Sequence, residues 1–216
     1  MSLEPQPYAM LHAVTIHMTD SEGIEAEILQ ALRAGERDRA ITTLVRRYQR
    51  FVYSIALRQM NHVEDAQDIT QEVLLRAARF IDGFGQQSSL QTWLYRITIN
   101  QCRSEFRRRR IKSFFGIGND EDQIDVASSG PLPSQHAEGR DFDDYMQRVL
   151  AKLPPKQRET FCLRFYDELS YEQISAITGT SQGALKANYH WAVKKIAEHL
   201  KQSEFYAHWS TSHDAE

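Results

Sequence analysis

Apolar positions along the chain recur at intervals of three and four, the spacing of one face of an α-helix. Nowhere do they alternate in the period-2 pattern of a strand. The clearest stripe is Leu44, Tyr48, Phe51, Val52 and Ile55, and it predicts a helix over about 36–60. A helix over about 22–34 precedes it, with Thr19, Asp20 and Ser21 as capping candidates and Gly35 as its stop. A third, over about 63–81, puts Ile69, Val73, Ala77 and Phe80 on an inner face and ends at the run Asp82-Gly83-Phe84-Gly85. A fourth begins near Ser89 and reaches about 112. The pattern then lapses over 113–141, where Gly116, Gly118, Gly130, Gly139, Pro131 and Pro133 predict a flexible linker. Four more helices follow, over about 142–152, 155–167, 170–178 and 181–203, with Pro155 suited to the first turn of the second. The expected fold is all-α: two small helical domains, 21–112 and 142–203, joined by the linker 113–141 and flanked by an extension, 1–20, and a tail, 204–216.

Composition narrows the class. With 216 residues, 41% apolar and 25% charged, the chain reads as soluble and globular, not as a rod, a collagen or a wholly disordered polypeptide. Cys102 and Cys162 lie far apart without a CxxC or CxxH pattern, which argues against a disulfide framework or zinc and for a reducing compartment. The first Lys or Arg is Arg33, and the longest predominantly apolar run, over 51–57, is about seven residues. No secretory leader and no stable membrane insertion are expected, and the location expected is cytoplasmic.

The net charge of −3 is a sum of opposed segments. From Arg96 to Lys112 seven bases and one acid give +6; from Ser113 to Tyr145 eight acids and one base give −7. On the fourth helix Trp93, Arg96, Asn100, Arg103 and Arg107 share one stripe, while Tyr95, Ile99, Cys102 and Phe106 form an apolar one. An aromatic ring, an amide and three guanidiniums on one face supply stacking, base-edge hydrogen bonding and phosphate neutralisation. A solvated basic face is the plainer alternative. On the third helix Asp65, Asp68 and Glu72 form an acidic stripe. It is open to three readings: solubility, a dock for a basic partner, or metal ligation without a His or a second ligand cluster. In the second block Ser170 can cap a short helix, Gly179 permits a tight turn, and Thr180 or Ser181 caps the next helix. That last helix turns Leu185, Tyr189, Ala192, Val193, Ile196 and Leu200 inward, and Gly183, Lys186, Ala187, His190, Trp191 and Lys194 outward. Small and basic residues near the start of a second helix suit close approach to a major groove. Packing or an interface is the alternative for His190 and Trp191.

Two segments carry a resemblance. The stretch from LVRRYQ at 44 through DAQDITQEV (65–73) and TWLYRITIN (92–100) to the Arg run resembles region 2 of extracytoplasmic-function sigma factors. The stretch LPPKQRETFCLRFYDELSYEQISAITGTSQGALKANYHWAVKKI (153–196) resembles their region 4. The resemblance implies a non-enzymatic, cofactor-free transcription-initiation factor that binds core RNA polymerase, recognises −10 and −35 promoter elements and promotes DNA opening. It implies that Asp65, Asp68, Gln71 and Glu72 face the clamp helices of the largest polymerase subunit, and that the flap of the second-largest subunit is a further partner. Trp93, Arg96 and Asn100 match positions that engage the −10 element, with Arg103 and Arg107 continuing their stripe. The loop 82–90 matches one that captures an unstacked base, with Phe84 and Ser89 as lining.

For the −35 element the resemblance implies Ser181, Gln182, Gly183, Lys186, Ala187, His190 and Trp191 in the major groove, with Lys194 and Lys195 at phosphates. Here LKANYHWAV departs from an arginine-rich family pattern, and Lys lacks the planar fork of Arg. The readout of the −35 element is therefore expected to be weaker or unusual. An acidic tether would suit a basic channel of the polymerase, and an anti-sigma partner would cover the DNA faces of the free protein. A stand-alone helix-turn-helix regulator is the alternative, and it has no need of the DAQDITQEV face.

Overall fold

The computed structural model describes residues 21–114 and 137–203. Among them are eight α-helices and no strand: α1 (Ser21–Arg33), α2 (Arg37–Met60), α3 (Val63–Phe80), α4 (Leu90–Phe114), α5 (Ala137–Ala151), α6 (Pro155–Phe165), α7 (Tyr171–Thr178) and α8 (Gln182–Lys201). A 3₁₀ turn, Ile81–Gly83, follows α3. The chain divides into two compact units, one holding α1 to α4, the other α5, α6, α8 and the first half of α7. The extension 1–20, the tail 204–216 and the acids Asp120, Glu121, Asp122 and Asp125 lie outside the described residues. Helix occupies both ends of the stretch expected as linker, since α4 reaches Phe114 and α5 starts at Ala137. Gly139 falls inside α5; one glycine costs a helix only about 1 kcal/mol, less than burial of the apolar face that follows it contributes.

In the first unit α2 lies against α1, α3 and α4. Its whole predicted stripe is buried, and from Ser54 to Met60 every residue is, Arg58 and Gln59 included. Tyr48, Phe51 and Tyr95 form an edge-to-face series, with centroids 6.1 Å and 4.8 Å apart. Ile69, Val73 and Ala77 turn inward from α3 as expected, but Phe80 does not: it is 55% exposed. α3 ends at Phe80, and the tighter turn that follows swings Ile81 into the core place instead.

The helix ends carry their own chemistry. Gly35 (φ +77°) closes α1 in a Schellman motif: its N–H donates to Leu32 O at 3.1 Å and the Glu36 N–H to Ala31 O at 2.9 Å. Asn61 (φ 56°) ends α2 in the left-handed region, which Asn tolerates better than most side chains.

The second unit has its own core. Met146, Val149, Leu150 and Leu153 from α5 and its exit meet Phe161, Cys162 and Tyr166 at α6, and Ala192 and Ile196 from α8. Phe161 stacks on Phe165 at 5.1 Å and on Tyr189 at 5.9 Å. The Tyr145 hydroxyl donates to His199 O at 2.7 Å, tying α5 to the end of α8. α7 opens with a capping box: the Gln173 N–H donates to Ser170 Oγ (3.1 Å) and the Ser170 N–H to Gln173 Oε1 (2.7 Å). Ile174 and Ile177 are buried, Gly179 turns the chain at φ +68°, and Ser181 Oγ accepts from Ala184 N–H at 3.4 Å to cap α8.

Candidate docking and nucleic-acid faces

Three groups of candidate residues occupy three helices. On α3, Asp68, Gln71 and Glu72 are exposed, and Glu72 meets Arg76 one turn on at 3.4 Å. Asp65 differs from them. Its side chain is 21% exposed and pairs with Arg109 of α4, while His62 Nδ1 stands 3.4 Å away. Arg109 also donates from Nε to Glu105 Oε1 at 3.1 Å, and Arg108 reaches Glu105 Oε2 at 2.9 Å. Burial works to raise the Glu105 pKa, but the bonds and charges of Arg108 and Arg109 outweigh it and hold the carboxyl below its ordinary range. Burial alone would depress the Arg109 pKa; Asp65 and Glu105 raise it instead. Part of the basic run is thus neutralised within the fold, and Asp65 is the member of the acidic stripe that takes part.

The same α3 stripe holds a residue the charge pattern overlooked. Leu75 is three residues after Glu72 and seven after Asp68, and it is 64% exposed. An apolar side chain in an acidic stripe has no signature of its own in sequence; only its exposure marks it.

On α4 and the loop before it, Phe84 and Trp93 come together with centroids 5.4 Å apart and planes at 48°. Both are half-buried. Ser89 is occupied at the helix start: its Oγ accepts from Thr92 N–H at 3.1 Å and lies 2.9 Å from Thr92 Oγ1, and its carbonyl accepts from Trp93 N–H at 3.0 Å. Arg96 is half-buried, and its Nε is buried without a hydrogen-bond partner. Asn100 and Arg107 are exposed, and Arg103 is half-buried.

Ser181, Gln182, Gly183, Lys186, Ala187, His190, Trp191 and Lys194 lie along α8 and its cap, and all eight are exposed. Trp191 meets His190 at 5.6 Å, and Lys194 Nζ lies 5.2 Å from its ring centroid. Lys186 Nζ stands 6.0 Å from the ring of Tyr171, which Arg164 of α6 also approaches, at 5.6 Å. Arg164 and Tyr171 thus extend the basic surface beside Lys186. Sequence spacing could not find them, because the contact joins three helices. A Cβ built on Gly183 would meet nothing within 4 Å. Packing within the chain therefore does not demand glycine at this exposed first turn.

Among the described residues no helix is long and apolar enough to cross a membrane, and no group of three His, Cys, Asp or Glu side chains is placed to hold a metal.

Family comparison agrees with the two-unit division. Residues 44–111 match sigma-70 region 2, and residues 143–196 match sigma-70 region 4. The chain is 30% identical over 178 residues to the ECF RNA polymerase sigma-E factor of Escherichia coli, covering 77% of this chain and 90% of that one. It is 33% identical over 144 residues to the ECF RNA polymerase sigma factor EcfG of Rhodopseudomonas palustris, covering 67% and 76% respectively. Among solved structures it resembles the sigma factor RpoE of Bartonella quintana, determined in complex with the anti-sigma factor NepR. The TM-score is 0.62 at 25% identity, over 74% of this chain and 96% of that one. The chain belongs to the extracytoplasmic-function family of RNA polymerase sigma factors.

Proposed function

We propose that the unit within 21–112 binds core RNA polymerase and opens the −10 element, and that the unit within 142–203 reads the −35 element. Asp68, Gln71 and Glu72, with Leu75 as an apolar anchor, form the surface offered to the clamp helices of the largest subunit. Asp65 forms its inner edge and ties it to α4. The flap of the second-largest subunit receives the second unit. Trp93, packed on Phe84, and Arg96, Asn100, Arg103 and Arg107 engage the −10 element and its non-template strand. The loop over 82–90 takes up an unstacked base of that element, with Phe84 and Ser89 as its lining, and Ser89 also caps α4. The exposed face of α8 enters the major groove, with Lys186 at its leading end and Lys194 toward phosphate. The protein makes and breaks no covalent bond, and it acts in the cytoplasm. An anti-sigma partner covers these faces when the factor is idle.

One observation carries the reading of −35 recognition. Gly183 keeps the first turn of α8 bare at a place where the fold has room for a side chain. Glycine there gives up helix stability without any packing return, and close approach of a duplex supplies the reason. On α4, Arg96 has an unpartnered buried Nε in line with exposed Asn100. A buried guanidinium nitrogen without a partner is costly, and a nucleic-acid acceptor would relieve it.

The test separates opening from assembly. Arg96→Ala with Asn100→Ala is expected to slow promoter opening by about tenfold or more, the effect of removing one stacking or base interaction, with core-polymerase affinity held within about twofold. Opening is read from permanganate reactivity of the −10 thymines, and affinity from fluorescence anisotropy of labelled factor. Equal loss of both would show a folding defect and remove the assignment.

A further inference from the structure

The loop between α3 and α4 has no regular structure beyond its first turn, yet side chains from distant parts of the chain hold it at both ends. At its start, Arg37 at the head of α2 donates from Nε to Asp82 Oδ2 at 2.8 Å and from Nη2 to Ala78 O at 2.8 Å. One guanidinium thus closes the last turn of α3, where a cation also suits the helix dipole, and grips the first acid of the loop. At its end, Glu25 of α1 accepts from the Leu90 N–H at 2.8 Å, a side-chain cap supplied from 65 residues away. Ser89 adds the local cap. Between these ends Gln86 is held at φ 52°, a left-handed conformation that a non-glycine side chain adopts at a cost. Phe84 lies against Trp93 in the same stretch.

From this geometry we infer that Glu25 and Arg37 are positioning residues for −10 recognition: they fix the two ends of the 82–89 loop and with them the place of Phe84 relative to Trp93. Neither has to touch DNA. The inference rests on the proposal that this loop takes up an unstacked −10 base. The Arg37 and Asp82 side chains are 46% and 57% exposed, so their pair adds little to global stability. Its effect lies in where the loop sits. That distinguishes the pair from a core contact, whose removal would weaken every activity together.

The experiment uses the full chain with core RNA polymerase and a promoter fragment chosen by mapping transcript starts made with the wild-type factor. Duplexes with a pre-opened −10 region carry either the native non-template bases or an abasic site at each position in turn. The readout is the ratio of affinities for native and abasic probes, with core affinity and melting temperature measured alongside. Glu25→Ala and Arg37→Ala are each expected to lower the best ratio by about fivefold, as removal of a capping bond implies, while core affinity stays within about twofold. Glu25→Gln, which keeps an acceptor oxygen, is expected to retain the wild-type ratio. If both alanine variants keep that ratio, or lose core affinity in the same proportion, the positioning role is overturned. If the wild-type chain shows no position at which the abasic site matters, the base-capture reading falls, and the inference with it.

Discussion

Arg109 links the acidic stripe of α3 to the basic end of α4, and substituting it tests whether that link organises the first unit. Arg109→Met keeps most of the apolar stem and removes the charge. It breaks the pair with Asp65 and the 3.1 Å bond to Glu105, leaving His62 beside Asp65 and Arg108 on Glu105. Exposed ion pairs contribute about 0.2–1 kcal/mol each. The two carboxylates are largely covered, at 21% and 16% exposure, so both pairs belong in the upper half of that range. The expected loss is about 1–2 kcal/mol in all, and a domain of this size shifts its melting temperature by about 4–8 °C per kcal/mol. The assay is urea denaturation followed through Trp93 in a chain whose Trp191 and Trp209 are changed to Phe. A cycle with Asp65→Asn isolates the cross-helix term, expected at about 0.5–1 kcal/mol.

Acid gives a second handle on the same cluster. Glu105 is held below its ordinary value of 4.5, so its contribution is present above that pH and is lost as pH falls through the lower folded value. The effect of Arg109→Met should therefore shrink in acid. A coupling below about 0.3 kcal/mol at neutral pH, within the error of additivity, would refute the link.

Two further outcomes follow from single side chains. Gly183→Ala is expected to stabilise the second unit by up to about 1 kcal/mol in thermal melts, since the site is open, and to weaken binding of −35 duplex; unchanged affinity would leave the bare turn without a purpose. Tyr48 is fully buried with its hydroxyl unpaired, and burial first, then Glu25, pushes its pKa from 10.0 up to about 12. The unfolded chain ionises first as pH rises past 10, so stability falls between pH 10 and 12, by about 2–3 kcal/mol in full. Tyr48→Phe should remove that loss and be neutral or slightly stabilising at pH 7. Destabilisation beyond about 1 kcal/mol in urea melts at pH 7 would contradict an unpaired hydroxyl.

Much of this was legible in the chain because periodicity carries one kind of information well. A helix of 3.6 residues per turn assigns each side chain a direction from its number alone. Leu44, Tyr48, Phe51, Val52 and Ile55 are all buried, and Gly183, Lys186, Ala187 and Trp191 on α8 are all exposed, because direction settles burial when one face has a core beneath it. Phe80 escaped the rule at the point where the helix stopped: past that residue the 3.6-residue count no longer applies, and Ile81 took the place. Gly139 misled in the opposite sense, since a local preference of about 1 kcal/mol yields to the packing of the residues that follow it.

What direction cannot give is the partner at the end of it. The run from Arg96 to Lys112 carries +6 in sequence, yet Arg109 points across to Asp65, and Arg108 and Arg109 share Glu105. Which bases stay available depends on how α3 crosses α4, and no stretch of either helix encodes that crossing. The same holds for the 82–89 loop, whose ends are set by Glu25 and Arg37, residues that lie before the segment matching region 2. Their chemistry is ordinary, a carboxylate and a guanidinium on helical turns, and nothing in their spacing sets them apart. They acquire a role only when folding brings an N–H of α4 and a carbonyl of α3 within 2.8 Å of them. A charge total read along a chain therefore gives an upper limit on the charge a face can offer. The fold decides how much of it remains, and which distant residues hold that face in place.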